Sequence, residues 1–148
     1  VETEFEVKVQ LIQAKARVSP LKKASIPRLE LLAALIGARL HASLVSCFPE
    51  ECESYFWTDS ATVLAWIQRG DKWATFVWNR VAEIRQLTKP EQWRHIPGTM
   101  NPADLPSRGC AGKRLLLSRW WEGPEWLRDS PDSWNFSDVS YDEAAIVE

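Results

Sequence analysis

The chain has 148 residues, 45% of them apolar and 26% charged, and a net charge of −2. That is enough for one domain with a real core, and the charge is too small to mark a polyanion binder by itself. Cys47, Cys52 and Cys110 form an odd set without C-x-x-C spacing, which argues against a disulfide framework or a zinc cluster and favours an intracellular setting. No basic leader precedes an apolar block, and no run approaches the ~20 apolar residues of a membrane span.

In chain order, Phe5, Val7, Val9 and Leu11 alternate with Glu6, Lys8 and Gln10, and the alternation resumes from Ile12 to Val18 in shifted phase. This predicts a strand over Phe5–Val18 with a bulge near Leu11-Ile12. Ser25 and Pro27 predict a helix start, with the helix running to about Val45. Its expected stripe is Leu29, Leu32, Ala33, Ile36 and Leu40, widened by Leu31 and Leu35, and Gly37 suggests close packing. Ser54–Thr58 reads as a strand buried on both faces. Ser60 caps a helix over about 61–68, a further helix runs from about Ala74 to Leu87 on Val77, Val81 and Ile84, and Gln92–Ile96 is a strand. Pro102 opens a short helix. The order is that of an α/β layout with parallel strands joined by helices.

Three carboxylates stand at element ends: Glu30 one turn into a helix, Asp59 after a strand, Asp104 in "GTMNPADLPSRG". Sites in open α/β sheets form at the carboxyl ends of strands. Gathered together, the three acids would form an oxygen site for a hard divalent cation. Taken singly, each is also explained by capping or by placement near a helix N-terminus. Of the nine tryptophans, Trp57, Trp66, Trp78 and Trp93 are expected in the core, while Trp120, Trp121 and Trp126 pin the C-terminal segment. The last 21 residues, from Arg128, carry one basic residue against six acidic ones. They read as a solvated linker.

The segments "IPRLELLAALIGARL", "YFWTDSATVLAWI", "FVWNRVAEI" and "WRHIPGTMNPADLPSRG", followed by "WWEGPEWL", resemble the ribonuclease H region of BEL/Pao-type retrotransposon polyproteins. The resemblance implies a ribonuclease H-like mixed sheet flanked by helices. It also implies cleavage of the RNA strand of RNA–DNA hybrids, with magnesium (or manganese), two ions in the intact parent. By motif, Glu30, Asp59 and Asp104 correspond to three of four metal-binding acids. The first aspartate and the first two strands would precede this chain, which is then an N-terminally truncated fragment. Residues 1–109 are the partial domain, 110–127 a Trp-rich packing segment and 128–148 the acidic linker. Implied partners are an RNA–DNA hybrid and neighbouring reverse transcriptase and integrase regions, in a cytoplasmic particle or the nucleus, with no membrane. Arg28, Arg69, Lys72, Arg80 and Arg94 are candidate phosphate contacts, which position a duplex without reading its sequence. The alternative is an inactive, domesticated remnant that acts as a nucleic-acid or protein interaction module.

Overall fold

The computed structural model of the chain describes residues 7–21, 24–49, 52–118, 120–134, 136, 141 and 143–146. Helices dominate: α1 (Ile26–Leu44), α2 (Ala61–Gln68), α3 (Thr75–Leu87), α4 (Asp104–Arg108), α5 (Gly112–Leu117) and α6 (Glu143–Ile146). Two short strands, β1 (Phe56–Thr58) and β2 (Trp93–His95), pair in parallel with Phe56 opposite Trp93 and Thr58 opposite His95. The class is α/β. α2 and α3 form the crossover that a parallel pair requires.

The core lies where α1, α2 and α3 meet. α1 packs on α3 and α2, and α2 also packs on both strands. Val63, Trp66 and Ile67 of α2 are fully buried with Val77 and Ile84 of α3. The stripe expected on α3 therefore holds. On α1 the buried face is Leu31, Ala34, Leu35 and Ala38, with the i, i+3, i+4, i+7 spacing of one helix face. The expected stripe is displaced: Leu29, Leu32, Ile36 and Leu40 are half-buried and Ala33 is exposed. α1 carries large apolar residues all round, and the small Ala34 and Ala38 select the face on which helices come close. Gly37 is not a packing site, because an added methyl would meet nothing within 4 Å. Across the rim, the Arg39 guanidinium donates to both carboxylate oxygens of Glu83 at 2.6 and 2.8 Å, joining α1 to α3.

The helix boundaries follow local chemistry. Ser60 occupies the N-cap of α2, and its hydroxyl oxygen accepts from the Val63 N–H at 3.2 Å. Ser25 holds the N-cap position of α1 and Pro27 its first turn, though the Ser25 side chain makes no cap hydrogen bond. At the other end of α2, Arg85 donates to the Ile67 and Arg69 carbonyls at 2.7 and 2.6 Å. These acceptors would otherwise lack partners at a helix terminus.

Four further expectations are corrected. Within the described part of Phe5–Val18 there is no strand: Val7 makes a bridge, and Ile12 to Pro20 are exposed. Phe5 lies outside the described residues. Alternation specifies a strand only where a neighbour accepts its ladder bonds. Here the segment instead runs beside the C-terminal turn, where the Leu11 N–H donates to the Trp121 carbonyl at 3.0 Å. Gly123 permits this approach. It has φ +72°, and a Cβ there would fall 2.6 Å from Val9 Cγ1.

Trp78 is half exposed, at 51%. It sits one residue, about 100° of helix rotation, off the Val77–Val81–Ile84 stripe. The membrane-length expectation also changes. Ile26–Cys47, with mean hydropathy 1.4, is long and apolar enough to cross a membrane by length and composition. Its Leu31, Ala34, Leu35 and Ala38 serve the core, a use that accounts for the same composition.

The fourth correction concerns the acidic end. Several of its described residues are anchored, while Asp129, Ser130, Asp132 and Ser133 between them stay exposed. Trp134 packs edge-on against Trp57, Trp126 and Tyr55, with centroids 5.6, 6.2 and 5.5 Å apart. Phe136 meets Trp126 at 4.8 Å. Ile146 is 2% exposed, and its carbonyl accepts from Trp66 Nε1 at 2.9 Å. Glu143 binds the Arg69 guanidinium through both oxygens. A few aromatic and aliphatic anchors outweigh the polar composition between them.

Candidate active site

Both parallel strands end on the same side, and the acids collect there. The Ile96 N–H donates to the Thr58 carbonyl at 3.0 Å, which carries the ladder one step past the strands and aligns their exits. From β1 the chain turns sharply through Asp59. The Ser60 N–H donates to Thr58 Oγ1 at 3.2 Å, a local turn that leaves the Asp59 side chain exposed. From β2 the chain passes Pro97 into the turn Gly98–Met100. Gly98 lies directly on Asp59, since a Cβ at Gly98 would stand 3.3 Å from Asp59 Oδ2. That close approach gives the glycine its reason, alongside the turn.

Glu30 reaches the same place from α1. It is half-buried and shares a hydrogen bond with the Ser60 side chain. Its pKa is raised. Burial is the largest cause, the Ser60 hydrogen bond opposes it, and the negative charge of Asp59 raises it further. Ser60 thus caps α2 with its oxygen and lies close to Glu30. Sequence reading identified only the cap. The available signal was that an N-cap hydroxyl directly follows a candidate acid in the same turn.

The raised pKa has a signed consequence. The folded state binds the Glu30 proton more tightly than the unfolded chain. The associated stability is fully present below the unfolded pKa and is lost as pH rises through the folded one. Glu30→Gln removes the titration. Thermal melts across the weakly acidic range should show the variant gaining on the parent as pH rises. Parallel curves would show that Glu30 is not buried beside Asp59.

Asp104 is arranged differently. It begins α4, half-buried, and its Oδ1 accepts from Arg108 Nε at 2.8 Å. Asn101 Oδ1 accepts from the Ala103 N–H at 3.0 Å, so Asn101 braces the turn and the helix starts later than Pro102. Among the described residues, no group of three or more His, Cys, Asp or Glu side chains is placed to hold a metal ion. The structure brings Glu30 and Asp59 together and does not add Asp104 to make a three-acid set. The physical reason is local: a first-turn acid one helical turn from an arginine takes that arginine as its counter-ion.

Four of the candidate phosphate contacts already have partners within the protein. Arg28 and Arg80 lie over the Phe76 ring at 5.1 and 3.5 Å, and Arg94 over Tyr55 at 4.5 Å. Arg69 is taken by Glu143 and lies 4.9 Å over Tyr141. Lys72 is exposed. His95, in β2, is half-buried opposite Thr58.

Residues 1–60 match the family model described as the Pao retrotransposon-like RNaseH-like domain. Over that span, the chain is similar to a Pao/BEL RNase H-like domain. The match includes Glu30 and Asp59 and ends at the cap of α2, so Gly98 and Asp104 lie beyond it. No curated protein and no solved structure matches the chain. The Pao-type segment therefore supplies both acids that the fold brings together. The described residues form a two-stranded sheet, not the larger sheet that the resemblance implies.

Proposed function

We propose that this chain is part of the ribonuclease H domain of a retrotransposon polyprotein, and that the intact domain cuts the RNA strand of RNA–DNA hybrids. The observation that carries this reading is that Glu30 of α1 lies near Asp59, which stands at the carboxyl end of β1, both inside the Pao-type match. The two carboxyls have different surroundings: Glu30 is half-buried and held by Ser60, while Asp59 is exposed at the strand end. Such a pair fits one side of a site for a hard cation, whose chemistry would be to stabilise charge on a phosphodiester. It is not a complete metal site. A further carboxylate from outside the described residues is required, and Asp104 would join only by leaving Arg108. What the chain's own residues do is position two anionic oxygens and, through Gly98, keep the space beside Asp59 clear of a side chain.

The test uses a hybrid with a labelled RNA strand and magnesium. It is offered to this chain and to a form extended on its N-terminal side from the coding sequence. The extended form should cut, Asp59→Asn should remove at least about 99% of the rate, and the 148-residue chain should cut weakly or not at all. An extended form that fails to cut, or cutting that survives Asp59→Asn, overturns the reading.

The engagement of Asp104 with Arg108 favours one second reading, a non-catalytic interaction module. On that reading, joint replacement of Glu30, Asp59 and Asp104 leaves binding intact, and magnesium gives no thermal stabilisation. A cation held by the folded state would raise the melting temperature.

A further inference from the structure

A cavity of about 430 Å³ opens beside the carboxylate pair. Gly98 forms part of its wall, and a Cβ added there would stand 3.3 Å from Asp59 Oδ2. The remaining wall comes from the Gly98–Met100 turn, α4, Arg114 of α5, and the turn from Trp120 to Pro124. All of it therefore comes from a part of the chain beyond the family match. The volume suits a small ligand rather than a double helix.

The charges in the wall can be sorted. Asp104 and Arg108 neutralise each other in their ion pair at 2.8 Å. Arg114 is exposed and remains as a cation available to an anion. Trp120 supplies a half-buried indole to the same wall. A guanidinium and an indole in one cavity match a phosphate joined to a flat ring. Guanidinium groups bind phosphate oxygens in pairs, and a base stacks on an indole when it has left the duplex, where neighbouring base pairs cover both of its faces.

The geometry points to a subsite for one unpaired nucleotide, its phosphate on Arg114 and its base against Trp120, next to Asp59. This deepens the nuclease reading and rests on it for the identity of the polymer: the subsite would hold a single-stranded extension of the hybrid. An RNA end and a DNA end offer the same phosphate-and-base chemistry, so both are included in the test.

The full chain is titrated, without divalent cation, into labelled RNA–DNA hybrids that are blunt or carry a short RNA or DNA overhang. Fluorescence anisotropy reads the affinity. The overhang of at least one type should tighten binding about tenfold, and Trp120→Leu should remove that gain. Arg114→Ala should remove it as well and lower the slope of log affinity against log salt by roughly 0.7–0.9, the loss of one phosphate contact. Lys113→Ala, a charge one residue away and outside the cavity wall, should retain the gain. Equal affinity for blunt and overhanging hybrids overturns the subsite, as does a Lys113→Ala loss equal to that of Arg114→Ala. Circular dichroism of each variant separates loss of binding from loss of fold. Cleavage of the same hybrids with magnesium is scored separately. Overhang preference without cutting by the extended form sinks the nuclease reading alone. Cutting without overhang preference sinks the subsite alone.

Discussion

Replacing Trp66 by alanine should lower the free energy of unfolding by about 3–5 kcal/mol, the range for removing a fully packed large aromatic. Trp66 has no exposed surface and sits where α2 meets the C-terminal segment. Its Nε1–H donates to the Ile146 carbonyl at 2.9 Å, and its own carbonyl accepts from Trp73 Nε1 at 3.3 Å. A domain of this size typically has ~5–15 kcal/mol in total, so the loss would take a large share. Trp66→Phe keeps most of the volume and loses the hydrogen bond, so it should cost less. Chemical denaturation of the three proteins measures the differences. A Trp66→Ala cost below about 1 kcal/mol would mean that the residue is not in the core.

Ending the chain after Arg128 should cost at least about 3 kcal/mol, because it removes buried Ile146, the Trp134 cluster and the Glu143 partner of Arg69. It also strips the hydrogen-bond acceptor from buried Trp66 Nε1. A solvated linker could be removed at almost no cost, so the experiment separates the two pictures sharply. The shortened chain should melt at lower temperature and expose its tryptophans to quenching by acrylamide. Unchanged melting and quenching would return residues 128–148 to the status of a linker.

These two results bear on what the sequence could reveal. Elements governed by nearest neighbours were legible. Ser60 before an apolar run marked the start of α2, and Val77, Val81 and Ile84 marked the buried face of α3. The strands β1 and β2 were placed correctly by their short aromatic and β-branched runs. Features that depend on distant partners were not legible in the same way. Phe5–Val18 has the period of a strand, but period alone does not provide a neighbour for its ladder bonds. The C-terminal end has the composition of a linker, yet sparsely placed Trp134, Tyr141 and Ile146 find the core. On α1, large apolar residues on every side concealed the face chosen by Ala34 and Ala38.

The site was legible to a similar extent. Strand-end logic located Asp59, and an acid one turn into an otherwise apolar helix marked Glu30. Their meeting through Ser60 depends on how α1 crosses the end of the sheet, which no local pattern encodes. Asp104 shows the opposite limit. Its motif was conspicuous, but Arg108 lies one turn away in the same short helix, and the nearer charge claims it. The basic residues taught the same lesson. Arg28, Arg80 and Arg94 read from the sequence as candidate phosphate contacts, and the fold lays each over an aromatic ring.

The parallel pairing of Phe56 with Trp93 has a kinetic meaning. The whole of α2 and α3 separates these two partners in sequence, and closing so long a loop is entropically unfavourable until the intervening segments have docked. Helix packing therefore comes first and strand alignment afterwards. The turn at Gly98 can settle onto Asp59 only once that alignment is made, so the corner between Gly98 and Asp59 depends on contacts that are distant in sequence.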